Sequence, residues 1–146
     1  MTDRPDEAAL VDTNIFVYAY DRQAGVKHAA AAKLIAELSD GQRLKLSAQV
    51  VNELAAVLLK RRTDPSLIVE QVIQIIEEVQ ALGEVVPVTG LMSAAALEGV
   101  RLHGLAFWDA LIWVAAKTHG VGRIYTEDFQ HGRVLEGVRF VNPFVS

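Results

Sequence analysis

Five short apolar segments, AALV, RLKLSA, EVVPV, RIYT and VRFVN, are separated by longer stretches with helical periodicity. That alternation limits the fold more than any other feature of the chain, because strands alternating with amphipathic helices build a parallel sheet whose crossovers cover both faces. A first helix follows AALV directly. The second spans residues 27–38, with Ala31, Leu34, Ile35 and Leu38 on one face and Gly41 as its stop. Residues 49–62 place Val51, Leu54, Ala55 and Leu58 at helical spacing. A new helix starts at TDPS, with Asp64 as N-cap and Pro65 at its first position. It buries Val69, Val72, Ile73 and Ile76 and ends near Gly83. Pro87 interrupts EVVPV and puts that strand near an edge of the sheet. Two further helices cover residues 91–102 and 108–119. The expected fold is a three-layer α/β/α domain around a five-stranded, mainly parallel sheet.

At 146 residues, with a polar leader over residues 1–8, the chain fits one domain large enough to bury a core without staples. Its hydrophobic fraction of 51% describes a compact soluble domain. The absence of cysteine excludes disulfides and thiolate metal sites. MTDRPDEA has neither a cationic start nor an apolar h-region, and no apolar run approaches the ~18 residues needed to span a bilayer. The cytoplasm is therefore the expected location, and a membrane is not an expected partner. A net charge of -4 argues mildly against a nucleic-acid partner.

In open α/β sheets, sites form outside the carboxyl ends of the strands. Four acids fall there. Asp12 closes the first strand and is the only charged residue of LVDTNIFVYAY. Glu53 lies in the first turns of the helix after the second strand, Asp109 opens a helix after the FW step, and Asp128 follows the fourth strand in YTEDF. With the elements placed as above, all four share one rim although they are far apart in sequence. Each also has an ordinary role open to it: Asp12 as a helix cap, Asp109 as a charge at the positive end of its helix, Asp128 as a turn residue, Glu53 as a solvated surface group. Jointly, gathered carboxylates repel and raise one another's pKa unless something positive compensates. A hard divalent cation, Mg²⁺ or Mn²⁺, does so with oxygen ligands. His28, His103, His119 and His131 show no zinc-ligand spacing. Neither a Walker A sequence nor GxGxxG offers a cradle for a nucleotide cofactor, and no GxSxG elbow points to acyl transfer.

The segments VDTNIFVYA, SAQVVNELAAVL, FWDALIWVAA and YTEDFQHG, in that order over roughly residues 10–142, resemble the four motifs of PIN-domain ribonucleases. They are most similar to the small VapC-type toxins of prokaryotic toxin–antitoxin pairs. The resemblance implies a five-stranded parallel sheet, Mg²⁺- or Mn²⁺-dependent endoribonuclease activity on RNA, a homodimer, and an antitoxin that occludes the active site. It carries the acidic quartet to Asp12, Glu53, Asp109 and Asp128 and supporting polar positions to Asn14 and Thr126, with Glu127 outside the core set. The polar leader is longer than in many relatives. On this reading Asp12 and Asp109 are the central metal ligands, and Asp128 completes the site directly or through water. Glu53 binds a second ion or orients the attacking water, while Asn14 and Thr126 hold carboxylates in position.

Cations for RNA phosphates are available in Lys60, Arg61 and Arg62 at a helix end and in Arg101, Arg123 and Arg133 near turns. The KRR run equally complements the negative end of its helix. Trp113, one turn inward from Asp109, is expected in the core, whereas Trp108 at the rim is open to packing or to base stacking. Three other readings compete. One is a catalytically silent PIN-like module that only binds RNA or protein. Another is a phosphatase-like enzyme with Asp12 as nucleophile, which would want a second aspartate where Asn14 stands. The third keeps the nuclease but makes it a housekeeping RNA-processing enzyme.

Overall fold

The computed structural model describes residues 7–60 and 67–145. The strands are β1 (Ala9–Val11), β2 (Leu44–Ser47), β3 (Glu84–Val86), β4 (Arg123–Tyr125), β5 (Val134–Leu135) and β6 (Val138–Val141). They form one sheet in the order β3-β2-β1-β4-β6-β5. All pairings are parallel except that of β5 with β6. β3, the strand interrupted by Pro87, lies at an edge as its proline requires.

The sheet has six strands where the apolar pattern predicts five. β5 is two residues long, too short to show a period, and it turns back into β6 through Glu136 and Gly137, both at positive φ (48° and 86°). That is the hairpin pattern of a type I′ turn, with glutamate at a position where asparagine or aspartate is the usual signal.

Among the described residues six α-helices flank the sheet: α1 (Thr13–Ala19), α2 (Val26–Asp40), α3 (Ala48–Lys60), α4 (Val69–Ala81), α5 (Gly90–His103) and α6 (Phe107–Thr118). α2 ends at Gly41 as its sequence predicts. α4 departs from expectation. Val72 and Val79 are buried, but Val69 and Ile73 are 56% and 51% exposed. The apolar stripe of α4 is wider than its line of contact, so its flanks stay in solvent. Asp64 and Pro65, the expected helix start, lie outside the described residues, as do Arg61 and Arg62. No helix among the described residues is long and apolar enough to cross a membrane.

α6 is apolar around its whole circumference, and Ala110 to Ala116 are all buried. A helix of that kind must be enclosed, and α5 closes over it at a glycine. A Cβ added at Gly99 would come within 2.8 Å of the Trp113 ring. That ring is 2% exposed and its indole N–H donates to the Leu135 carbonyl at 3.1 Å, so it has nowhere to go. Gly99→Ala should therefore lower stability by about 1–2 kcal/mol net of its gain in helix propensity. Denaturant unfolding would show this as a lower midpoint with an unchanged slope.

β1 sits between β2 and β4, and the chain runs outward from β1 in one direction and from β4 in the other. This is the point where strand order reverses, the place in open α/β sheets where a crevice forms beyond the carboxyl ends. Asp12 and Asp128 follow the two strands that flank it.

Candidate active site

Asp12 leaves β1 and caps α1. One of its carboxylate oxygens accepts from the Thr13 amide at 2.7 Å and the other from the Thr126 hydroxyl at 2.8 Å. The capping role and the rim position are thus both real. Thr126, 4% exposed, also takes the Asp128 amide on its hydroxyl at 3.2 Å, so one side chain ties the ends of β1 and β4 together. Burial raises the Asp12 pKa above the ordinary carboxylate range, outweighing its two hydrogen bonds, and Glu53 and Asp109 push the same way.

Glu53 stands in the second turn of α3 and is held at both oxygens. Thr13 donates its hydroxyl to one at 2.8 Å, and Gln49, four residues earlier on the same helix, donates to the other at 3.0 Å. The same Gln49 amide also donates to the Trp108 carbonyl at 3.1 Å, which fastens α3 to the first turn of α6. Asp109 occupies that first turn. Its pKa is raised by burial, then by the charges of Asp128 and Glu53. Asp128 is exposed and accepts from the Asn14 side-chain amide at 2.9 Å. Asp12, Glu53, Asp109 and Asp128 line one cavity of about 550 Å³.

Glu127 turns the other way. It accepts from the Tyr18 hydroxyl at 2.6 Å and pairs with Lys27, and these partners hold its pKa down. Both acids lie in the bend after β4, where one joins the cavity and the other clamps α1 and α2.

Two residues of the site escape a reading of the sequence. Thr13 and Gln49 orient Glu53, yet neither is charged. Gln49 carries the one local signal, its i–4 spacing from Glu53.

Of the cations expected near RNA, the described ones, Lys60, Arg101, Arg123 and Arg133, do not line the cavity. Arg123 begins β4, at the far end of that strand from Asp128, and is 6% exposed beside the Tyr125 hydroxyl and Glu7. It is therefore not a surface contact for phosphate. Arg101 pairs with Glu98, and Arg133 lies over the Phe129 ring. Lys60 is exposed at the end of α3. Among the described residues lining the cavity there is no lysine, arginine or histidine.

A group this acidic and this free of internal cations suits a hard divalent ion. Two further oxygens in the same wall, Asn14 Oδ1 and Gln49 Oε1, are buried without a hydrogen-bond partner, which adds neutral oxygen donors to the set. Among the described residues, no three acid, histidine or cysteine side chains already stand in ligand geometry. The residues present fit such an ion by chemistry, with side-chain adjustment needed to close around it.

The sequence model of the PIN domain family matches residues 9–136. No curated protein sequence matches the chain significantly. Among solved structures, the Mycobacterium tuberculosis toxin VapC20, which cleaves the sarcin–ricin loop, is similar at a TM-score of 0.65 and 20% identity, over 83% of this chain and 90% of that one. A toxin–antitoxin complex from Klebsiella pneumoniae is similar at a TM-score of 0.67 and 17% identity, over 94% of this chain and 98% of that one. FitAcB from Neisseria gonorrhoeae is similar at a TM-score of 0.67 and 19% identity, over 93% and 98%. At these identities the likeness is one of fold.

Proposed function

This chain belongs to the PIN domain family, and from that premise we propose that it is a Mg²⁺- or Mn²⁺-dependent endoribonuclease, the toxin of a toxin–antitoxin pair. The observation that carries the reading is the convergence of Asp12, Glu53, Asp109 and Asp128, from four separate segments, on one cavity at the sheet's switch point. The toxin assignment draws on the fold shared with the toxin VapC20, with the Klebsiella pneumoniae toxin–antitoxin complex and with FitAcB. A protein antitoxin and a second copy of the chain are the partners that follow from it.

When bound, the ion lowers the pKa of water and offsets charge that develops on the phosphodiester. The chain's own groups do the rest. Asp12 and Asp109, whose ionised forms are disfavoured by burial and by neighbouring acids, would hold it. Thr126 fixes the orientation of Asp12 and, through the Asp128 amide, the loop that carries Asp128. Asn14 steadies the Asp128 carboxylate itself. Thr13 and Gln49 aim Glu53, which orients the attacking water or holds a second ion. A phosphatase-like role for Asp12 as nucleophile would want a second aspartate where Asn14 stands.

The reading is tested by incubating a labelled RNA pool with purified protein in Mg²⁺, Mn²⁺ or EDTA. Cutting that requires the ion supports it. No cutting by folded, antitoxin-free protein under any of these conditions counts against it. Thr126→Val removes a single hydroxyl at nearly constant shape. It should weaken the apparent metal affinity in that assay by roughly 10–100-fold, with an unaltered circular dichroism spectrum. An unchanged metal titration would show that Thr126 only supports the fold.

A further inference from the structure

Trp108 is 61% exposed, while the next residues of its helix after Asp109, from Ala110 to Ala116, are all buried. At the mouth of the acidic cavity, this exposed indole offers a flat apolar face to a ligand. Its surroundings are informative. The ring meets Phe107 edge-on, with centroids 5.3 Å apart and planes at 73°. Its backbone carbonyl is bound by Gln49, the residue that also aims Glu53. The backbone of Trp108 is thus anchored beside the acids, and its ring rests edge-on against one neighbour.

It also stands at the junction of two cavities. One is the acidic cavity, whose apolar wall is formed by Val17, Ala56 and Val57. The other, about 420 Å³, shares Gln49, Glu53, Ala56 and Trp108 with the first and continues past Asn52 and Val88. Together they make a groove that passes the carboxylates and then the indole. Among the described residues that line either part there is no lysine or arginine. A polyanion entering such a groove gains nothing from side-chain charge inside it. Attraction must come from flat apolar contact, from base-edge hydrogen bonds to amides such as Asn52, and from the bound ion.

We propose that Trp108 is a stacking platform for an unpaired base of the RNA, seating the nucleotide next to the scissile phosphate. The chain would then cut RNA that is single-stranded at that position, since a paired base has no free face to offer. The inference builds on the nuclease reading above. Shared placement supports it: Trp108 and Asp109 both line the acidic cavity with Asp12, Glu53 and Asp128, so a base on the indole leaves its own phosphate in the cavity where the carboxylates stand. An indole has only two side-chain torsions to order, so stacking on it costs little conformational entropy.

The test uses the full chain and a single-stranded RNA oligonucleotide carrying one site that wild type cuts. The same oligonucleotide is also made with the base next to the cut removed and the backbone kept. Trp108→Ala should raise KM by about 10–100-fold, the effect of losing one stacked base, and change kcat by no more than about threefold. Trp108→Phe should recover most of that loss. Removing the base should cost wild type the same factor and cost Trp108→Ala nothing more, because the two changes delete one interaction. Annealing the site into a duplex should abolish cutting. If the two losses multiply, or if Trp108→Ala leaves KM unchanged while wild type still cuts in a metal-dependent way, the stacking role is wrong and the nuclease reading survives. Trp108 would then be a contact for a protein partner. If wild type shows no metal-dependent cutting, the nuclease reading falls and takes this inference with it.

Discussion

Replacing Asp109 with asparagine should lower RNA cleavage by about two orders of magnitude or more, the scale for deleting one charged group from a preorganised site, and should make the metal-free protein more stable. The two effects have one cause. Asp109 is held near Glu53 and Asp128 in a partly buried wall that contains no cation, so its ionised form is disfavoured. Asparagine keeps the shape and removes the charge. The sign of the pH dependence follows. A carboxyl whose pKa is raised on folding adds stability that is fully present below its unfolded value, near 3.9, and lost as pH rises through the folded one. The stability difference between Asp109→Asn and wild type should therefore be close to zero below about pH 4 and grow to a plateau above the raised pKa, seen as a higher Tm for the variant. Thermal melts of both proteins in EDTA across that range would measure it. A variant that is less stable than wild type at every pH would mean that Asp109 is a structural residue, and a variant that still cuts would remove it from the active site.

Divalent metal should reverse that electrostatic strain. In wild-type protein at neutral pH, Mg²⁺ or Mn²⁺ at a hundred times its dissociation constant should stabilise the fold by about 2.7 kcal/mol, or roughly 6–10 °C in Tm. The shift should shrink on acidification, as protons compete for Asp12 and Asp109, whose pKa values are raised chiefly by burial. It should also be much smaller in Asp109→Asn. Sodium at matched ionic strength should have little effect, because screening alone does not replace a ligated ion. An equal shift with sodium, or an undiminished one in the variant, would count against a metal bound by these carboxylates. The exposed acids Glu84, Glu98 and Glu136 have pKa values lowered by basic neighbours and respond to pH in the opposite sense. Their contributions cancel when wild type and variant are compared.

What the sequence determined by itself is what local periodicity and chain order carry. Apolar runs such as AALV and RLKLSA, and the i, i+3, i+4 faces of α2 and α3, locate strands and helices because a side chain's burial is set by its own position in the repeat. Once those elements are in order, the doubly wound sheet follows, and with it the rim at which Asp12, Glu53, Asp109 and Asp128 stand. Trp113 belongs to the core for the same reason, one turn along an apolar helix.

Tertiary structure decided whatever depends on partners distant in sequence. Thr13 meets Glu53 forty residues away, and Thr126 meets Asp12 across 114 residues. No local pattern records either pairing. Arg123 looks like any surface arginine until β6 and Glu7 close around it. Val69 and Ile73 fit the apolar stripe of α4, yet the neighbouring elements do not reach them. Glu127 and Asp128 are chemically alike and adjacent, and only the direction of each side chain at the end of β4 separates a clamp on Lys27 and Tyr18 from a member of the acidic cavity. The physical reason is common to all of these. Periodicity reports which side of an element faces inward, whereas the identity of the group it meets is fixed only when distant elements pack.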